Sequence, residues 1–279
     1  MHILKGYTKQ EISWMMYDWA NSAHSVIIVT LLPIFFDTVA GYTADSVSSM
    51  STWGYATSIA MLIVALAAPF LGVFGDIRGM RKKLFSFFML LGVAACAGMA
   101  FTPGMDFTSG PVAAGKVASL ILVLYIVSVI GFDASAIYYD AFLTDVTIED
   151  RMDKVSTMGY GLGYIGGSTI PLLIFLIMNL VGVPMLTCLA FVFGLTAVWW
   201  LAFSLPLLKN CEQTSGKPYE KGDVARSIKG VGTTIKEIIA NKPMLIYILS
   251  YFFYIDGVHT VISMATTYGT NLGPVSYTH

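Results

Sequence analysis

The sequence has few charged residues, and long stretches of it have none. Only 12% of the 279 residues are Asp, Glu, Lys or Arg, whereas an average soluble domain has roughly 25%. The shortage is concentrated in uncharged runs that approach the roughly 20 residues a membrane-spanning helix needs. A mean hydropathy of +0.72 agrees with this pattern. The composition therefore excludes an ordinary soluble domain and predicts an all-α membrane protein with several spans.

Cysteine is also scarce, and the three cysteines are far apart, at Cys96, Cys188 and Cys211. An odd, scattered set excludes a disulfide framework and a cysteine-based metal cluster, and we expect no metal or cofactor. The net charge of −1 gives no indication of nucleic-acid binding, because the charges are segregated by loop. The first hydrophobic run has no small-residue cleavage site, so we interpret it as a retained first span.

Seven hydrophobic runs are long enough to cross a membrane. They cover about 14–36, 53–74, 84–101, 116–142, 155–180, 184–208 and 243–268. This pattern divides the chain into a six-span half (1–208), a loop (209–242), and a seventh span with a polar tail (243–279). Six spans, a long loop and a further span are typical of a transporter built from two six-helix halves.

The distribution of basic residues predicts the orientation. With seven spans, fifteen of the sixteen Lys and Arg residues lie in the N-terminal tail and in the loops on its side, and only Lys116 lies opposite. Short loops rich in Lys and Arg stay in the cytoplasm. We therefore expect a multi-pass membrane protein with a cytoplasmic N-terminus.

The loop between the second and third spans is short, basic and rich in glycine. Residues 72–83 read GVFGDIRGMRKK. We expect Gly72 and Gly75 to allow close backbone approach, Gly79 to permit a tight turn, and Asp76 to cap the next segment or pair with an arginine. The loop resembles the pattern between the second and third helices of the major facilitator superfamily. The matching positions are Gly72, Asp76, Arg78, Gly79, Arg81 and Lys82.

Two further segments have a helical periodicity. In the 209–242 loop, apolar residues recur at helical spacing, which predicts an amphipathic helix on the membrane surface; a solvated linker is the alternative. In the fifth span, Gly159, Gly163 and Gly167 are four residues apart. Small residues at this spacing form a helix-packing face, and the same face could slide or hinge during a conformational change.

Acidic residues within the spans occur only in the first, fourth and seventh. Polar groups in a membrane are costly, so their positions indicate function. The candidate substrate or proton-coupling residues are Asp18, Asn21, His24, Asp133, Asp140, Asp256 and His259. No Lys or Arg lies in a span interior, and a buried carboxyl group without a cationic partner favours its protonated form. Such groups could exchange protons or bind a cation. Alternatively, Asp18 and Asp140 are hydrogen-bonded helix-end groups, and the histidines are satisfied polar residues.

Several stretches together resemble the vacuole-effluxer-like (autophagy-related permease) family of the major facilitator superfamily, including its bacterial members. They are residues 17–23, 53–58, 138–143, 159–167 and 254–258, and the resemblance extends to about Gly273. It implies a major facilitator fold whose first, fourth and seventh helices line a central cavity. It also implies a lipid-embedded, non-enzymatic transporter of small solutes, with proton-coupled amino-acid efflux as the hypothesis. Asp140 stands where many relatives have asparagine.

The family has about twelve helices, so we expect that further C-terminal helices belong to this protein and that the chain is truncated. Two other interpretations remain open. One is a seven-helix receptor or scaffold that does not transport. The other is an intramembrane aspartyl protease, in which two carboxyl groups share a proton, although Asp133 lacks the Gly-x-Gly-Asp setting of such enzymes.

Overall fold

The described part of the chain is helical almost throughout. A computed structural model describes residues 4–43, 46–216, 218 and 223–271. Its α-helices are α1 (Lys9–Ala40), α2 (Ser46–Gly75), α3 (Arg81–Met99), α4 (Pro111–Val146), α5 (Glu149–Leu162), α6 (Thr169–Leu180), α7 (Met185–Asn210), α8 (Asp223–Ala240) and α9 (Lys242–Asn271). A 3-10 turn follows α3 at Thr102–Gly104, and a π-helical turn, Gly163–Ser168, joins α5 to α6.

Seven helical segments of the described residues are long and apolar enough to cross a membrane. They are α1, α2, α3, α4, the continuous segment from α5 to α6, α7 and α9. This confirms the prediction of an all-α membrane protein with seven spans. The helix α8 lies within the loop for which an amphipathic helix was predicted, and its described side chains Ile235 and Ile239 are exposed.

Local sequence explains where these helices begin and end. At the start of α1, the Thr8 hydroxyl accepts a hydrogen bond from the Glu11 amide at 3.1 Å, and the Glu11 carboxylate accepts one from the Thr8 amide at 2.7 Å. This reciprocal arrangement satisfies two amides that a helix start leaves unpaired. Gly79 and Gly182 have φ angles of +82° and +85°. They allow the sharp turns before α3 and α7 in a region that side-chain-bearing residues disfavour.

The helix α1 is central to the bundle. It contacts α2, α4, α5, α6, α7 and α9, and most of its side chains are buried. Trp14 stacks on Tyr139 of α4 at a centroid distance of 4.4 Å, and its indole donates a hydrogen bond to the Tyr139 carbonyl at 2.9 Å. The Tyr17 hydroxyl lies 2.8 Å from the Ser135 hydroxyl. The first and fourth spans therefore pack directly on each other.

The fifth span packs its glycines against α1. A Cβ atom added to Gly163 would lie 2.6 Å from the Ser22 hydroxyl. A Cβ at Gly159 would collide with the Asp18 carboxylate, and one at Gly167 would collide with the Trp19 carbonyl. Lipid supplies little hydrophobic driving force between helices, so such close contact is a main source of attraction. The π-helical turn falls within this glycine-rich interface, and π-turns are common at functional sites.

Candidate functional site

The carboxyl group of Asp18 is buried among three helices. The residue is 9% exposed, and its Oδ2 atom has no hydrogen-bond partner among the described residues. The Asp18 carboxyl group faces the hydroxyl of Tyr139. Tyr139 is 4% exposed, and its hydroxyl also has no hydrogen-bond partner with favourable geometry among the described residues. On the other side of the Asp18 carboxyl group lies Gly159 of α5. Since α1 begins at Lys9, Asp18 lies about 14 Å along the helix.

Asp140 lies beside this buried group, on the open surface of α4. Its side chain is exposed, and it interacts electrostatically with Asp18. One tyrosine lies within electrostatic range of both carboxyl groups. Tyr160 of α5, which is 62% exposed, interacts electrostatically with both carboxyl groups and with Tyr251 of α9. We call Asp18, Tyr139, Asp140, Tyr160 and Tyr251 the acidic face. Its members come from the first, fourth, fifth and seventh spans.

Asp133 occupies a second position along α4, two turns before Asp140. It is partly buried and within electrostatic range of Tyr125. The Tyr125 hydroxyl lies 3.2 Å from the Thr57 hydroxyl of α2, and its ring lies 4.3 Å from that of Trp53. Tyr125 therefore joins α4 to α2 about two turns before Asp133.

His24 is enclosed in the core of the six-span half. It is 3% exposed, and its ring stacks on Phe132 at 4.8 Å and lies 5.1 Å from Trp200. Its Nε2 atom is 3.3 Å from the Ser128 hydroxyl, whereas Nδ1 is buried without a hydrogen-bond partner among the described residues. The structure thus places His24 in an aromatic pocket and separates it from the acidic face.

The remaining candidate residues differ in how exposed their side chains are. Asn21 is buried, 9% exposed, one turn beyond Asp18. Asp256 has an exposed side chain on α9, and the structure does not bring it to the acidic face. His259 lies within α9, but its side chain is outside the described set. In the part of the chain that the structure describes, no group of three or more His, Cys, Asp or Glu residues could hold a metal ion.

The glycine-rich loop forms a turn stabilised by hydrogen bonds. The Met80 amide donates to the Ile77 carbonyl at 3.0 Å, across the positive-φ residue Gly79. A Cβ at Gly75 would lie 2.9 Å from the Tyr138 ring, whereas one at Gly72 would meet nothing within 4 Å. Gly75 is therefore packed against a side chain of α4, whereas Gly72 has open space around it. Arg78 is exposed, and Lys82 is partly buried.

Arg81 is the buried member of this loop. Its guanidinium forms an ion pair with Asp145, which has a fully buried side chain at the end of α4. It also donates to the Ala141 carbonyl at 3.0 Å and to the Ser215 hydroxyl at 3.2 Å. Its weaker contact with Asp76, at 3.9 Å, is the arginine pairing considered from the sequence. Asp76 itself is largely exposed.

The segment that follows α7 closes over this ion pair. Gln213 accepts a hydrogen bond from the Gly79 amide at 2.8 Å and donates one to the Gly75 carbonyl at 3.0 Å. Asp145 Oδ1 accepts hydrogen bonds from the amides and hydroxyls of Thr214 and Ser215, at 2.8 to 3.1 Å. Sequence reasoning missed these three residues and Asp145. The only signal was an acid near the end of the fourth span, within reach of a basic loop.

A second ion pair fixes the start of α1 to the start of α5. Arg151 donates to both oxygens of the Glu11 carboxylate at 2.9 Å, and the Thr147 hydroxyl donates to the same carboxylate at 2.7 Å. Bidentate pairing of this kind is among the stronger polar contacts in proteins. Both ion pairs lie at the end of the bundle that carries the basic loops.

Comparison with known proteins gives one family. The profile of the family described as "Vacuole effluxer Atg22 like" matches residues 38–273. The MFS-type transporter YxiO of Bacillus subtilis (strain 168) is 40% identical, over 97% of this chain and 62% of its own length. Autophagy-related protein 22-1 of Penicillium rubens is 26% identical over 45% of this chain and 23% of its own length.

These matches agree with the resemblance read from the motifs, including its bacterial branch. The bacterial relative is named as a transporter, not as an enzyme, in agreement with the prediction of a non-enzymatic protein. The chain spans about 62% of the length of that relative.

Proposed function

Because the chain belongs to the vacuole effluxer Atg22-like family, we propose that it forms part of a secondary transporter of the major facilitator type. The protein is a multi-pass helical membrane protein, and its proposed activity is the movement of small solutes across the bilayer by alternating access. In such transporters two helical halves rock around a site near the middle of the membrane. The six spans from α1 to α7 form one half, and α9 begins the other.

The acidic face is the observation that carries this proposal. Carboxyl groups inside a membrane usually point to the bundle interior or to a water-filled cavity. Asp18 interacts electrostatically with Asp140, and Tyr160 of the fifth span interacts with both carboxyl groups and with Tyr251 of the seventh span. Polar side chains of the six-span half therefore lie within electrostatic range of the helix that follows the long loop, which supports a solute path between them.

The contact between the glycines of the fifth span and α1 is a candidate for the surface that moves during transport. Glycines present no side chain that must be displaced when one helix shifts along another. The α5–α6 segment could therefore move against α1 while the ion pairs of Arg81 and Arg151 hold the ends of the half together. The buried Asp18 carboxylate lies in this interface, so a change of its charge would alter the contact directly.

The finer features of this function are also proposals. The family name indicates efflux, and we propose amino acids as solutes and protons as the coupling ion. Asp133 and Asp256 are the coupling residues to test first, because they are acids within the fourth and seventh spans and neither is fully buried. The basic loops support a cytoplasmic N-terminus, and the similarity to a Bacillus subtilis protein supports a place in a bacterial inner membrane.

The test is flux in proteoliposomes that contain the full-length protein. We expect an imposed proton gradient to drive accumulation of radiolabelled amino acids, and we expect Asp133→Asn or Asp256→Asn to reduce its dependence on pH. Asp153→Asn, at an exposed acid of α5, is the control. Unchanged pH dependence in both variants would remove proton coupling through these residues.

The same assay separates the alternatives. A receptor or scaffold would bind solutes without any flux, and an intramembrane protease would cleave peptides instead. Two acids that interact electrostatically, Asp18 and Asp140, are present, but Asp140 is exposed and Asp18 packs against Gly159 of the fifth span. Absence of flux for every amino acid, with or without a proton gradient, would contradict the transporter proposal.

A further inference from the structure

The helix α8 has one apolar side. Its six large aliphatic residues recur every three or four positions, at Val224, Ile228, Val231, Ile235, Ile238 and Ile239. With 3.6 residues per turn, they form a single stripe about 100° wide along the helix. Every other residue of α8 is charged, is a serine or threonine, or is a glycine or alanine. The stripe therefore requires an apolar partner along one side of the helix.

The described residues do not cover this stripe. Ile235 is 50% exposed and Ile239 is 58% exposed, while Val231 and Ile238 are only partly buried. The helix contacts α2 and α9, and these contacts leave the isoleucines open. Contiguous exposed apolar surface usually marks a protein or membrane interaction site.

The junction with α9 fixes one end of α8 at a membrane span. A single residue, Asn241, separates the two helices. Its amide donates to the Glu237 carbonyl at 3.1 Å, and its carbonyl accepts from the Leu245 amide at 2.9 Å. The Asn241 side-chain oxygen also accepts from the Met244 amide at 3.3 Å. The last turn of α8 therefore lies where α9 enters the membrane.

The packing of α2 against α9 shows which end of the bundle this is. A Cβ atom added to Gly54, near the start of α2, would lie 3.8 Å from the Met264 methyl group. Met264 is about 33 Å along α9 from its first residue, which is about the thickness of the hydrocarbon core. The start of α9 and the end of α2 are therefore on the same side of the membrane. That side carries the basic loop that follows α2.

The stripe has a basic edge. Lys229 and Lys236 are seven residues apart, so they lie on the same side of α8, next to the stripe. Both are exposed, and neither forms an ion pair with another described residue. The whole segment 209–242 has seven basic and four acidic residues. An excess of basic residues beside a span complements anionic headgroups, and each lysine near such a surface raises the affinity about fivefold.

We propose that α8 binds the surface of a bilayer that contains anionic phospholipids. The apolar stripe lies among the upper parts of the acyl chains, and Lys229 and Lys236 contact the phosphates of the headgroups. Lipid is the occupant because the helix is joined by one residue to a span, at the level where that span enters the bilayer. The inference does not depend on transport, so it stands or falls separately from the proposed function.

The position of α8 is measured on the full-length protein in nanodiscs made of equal parts phosphatidylglycerol and phosphatidylcholine. Ile235→Cys places an NBD fluorophore on the stripe, and the control Thr233→Cys places the same label on the opposite side of the helix. The native cysteines are buried and should not react. Lipids with brominated acyl chains quench a fluorophore that lies among them. We expect severalfold stronger quenching of the label at 235 than of the label at 233.

A pair of lysine variants tests the preference for anionic lipid. Lys229→Gln combined with Lys236→Gln should shift α8 away from the bilayer by up to about thirtyfold and reduce the quenching at 235. Nanodiscs of phosphatidylcholine alone should have the same effect. The control, Lys83→Gln with Lys154→Gln, removes the same charge from exposed positions outside α8 and should leave the quenching unchanged. All four lysines are exposed, so these variants should fold, and thermal unfolding checks this.

Three results would overturn the inference. A label at 235 with the emission expected in water would show that α8 is a solvated linker. A shielded label that brominated lipid does not quench would show that protein, such as a further helix of the same chain, covers the stripe. Quenching that is undiminished both in phosphatidylcholine alone and in the Lys229→Gln, Lys236→Gln variant would show that α8 does not recognise anionic lipid.

Discussion

Replacing Arg81 with alanine should destabilise the six-span half. In the wild type, the Arg81 and Asp145 side chains are 6% and 0% exposed, so solvent hardly screens their ion pair. The Asp145 Oδ1 atom keeps its hydrogen bonds from Thr214 and Ser215 in the variant. Oδ2 loses the guanidinium, which is its partner among the described residues, and a buried charge is left without compensation.

The magnitude follows from the burial of the pair. Removing one partner of a buried ion pair typically costs about 3–5 kcal/mol. The guanidinium hydrogen bonds to Ala141 and Ser215 are lost in the same substitution. With an unfolding entropy of roughly 2.1 cal/mol/K per residue, a cost of this size lowers the melting temperature by at least about 5 °C.

The assay is thermal unfolding of the purified protein in detergent, with Arg78→Ala as the control. Arg78 belongs to the same loop but is exposed, and exposed substitutions usually change the free energy of unfolding by no more than about 0.5 kcal/mol. Equal melting temperatures for the two variants would refute the reasoning, because the burial of Arg81 would then have no energetic consequence.

Two further predictions concern packing and burial. Gly163→Ala should lower the melting temperature, because a Cβ would lie 2.6 Å from the Ser22 hydroxyl and overpacking costs about 1–3 kcal/mol. The control Gly161→Ala has open space around the new methyl group and should be neutral or stabilising by helix propensity. A lower melting temperature for Gly161→Ala than for Gly163→Ala would contradict the packing. Burial raises the pKa of the Cys211 thiol to about 12, so almost no reactive thiolate exists at pH 8. Maleimide should therefore leave Cys211 unmodified in the native protein and label it after unfolding in detergent. Rapid labelling of Cys211 in the native protein would contradict its burial.

The spans could be predicted because lipid imposes a simple rule. An uncharged run of sufficient length has few alternatives to a helix, so the seven runs became seven helical spans. Their ends were less accurate. The capping box at Thr8 and Glu11 starts α1 at Lys9, before the hydrophobic run that begins at about residue 14, and α4 continues to Val146. Hydrophobicity marks the membrane core, whereas hydrogen bonds at the caps determine the ends.

The site was only partly predictable, because a sequence does not show which helices touch. Spacing placed acids on the first and fourth spans, but their meeting with Tyr139 and Tyr160 depends on tertiary packing. His24 shares a helix with Asp18, yet its aromatic pocket lies elsewhere. The contacts of Asp145 with residues after α7 join positions about seventy residues apart, and no local pattern indicates such a pairing.

The central claim is that the acidic face looks toward the seventh span and not toward lipid. The most direct measurement is cross-linking in native membranes with a short bifunctional maleimide, using Tyr160→Cys together with Tyr251→Cys. The comparison pair is Phe87→Cys with Tyr251→Cys, because Phe87 is 60% exposed on α3. The account predicts a cross-link in the first pair and none in the second. A link only in the second pair would contradict it.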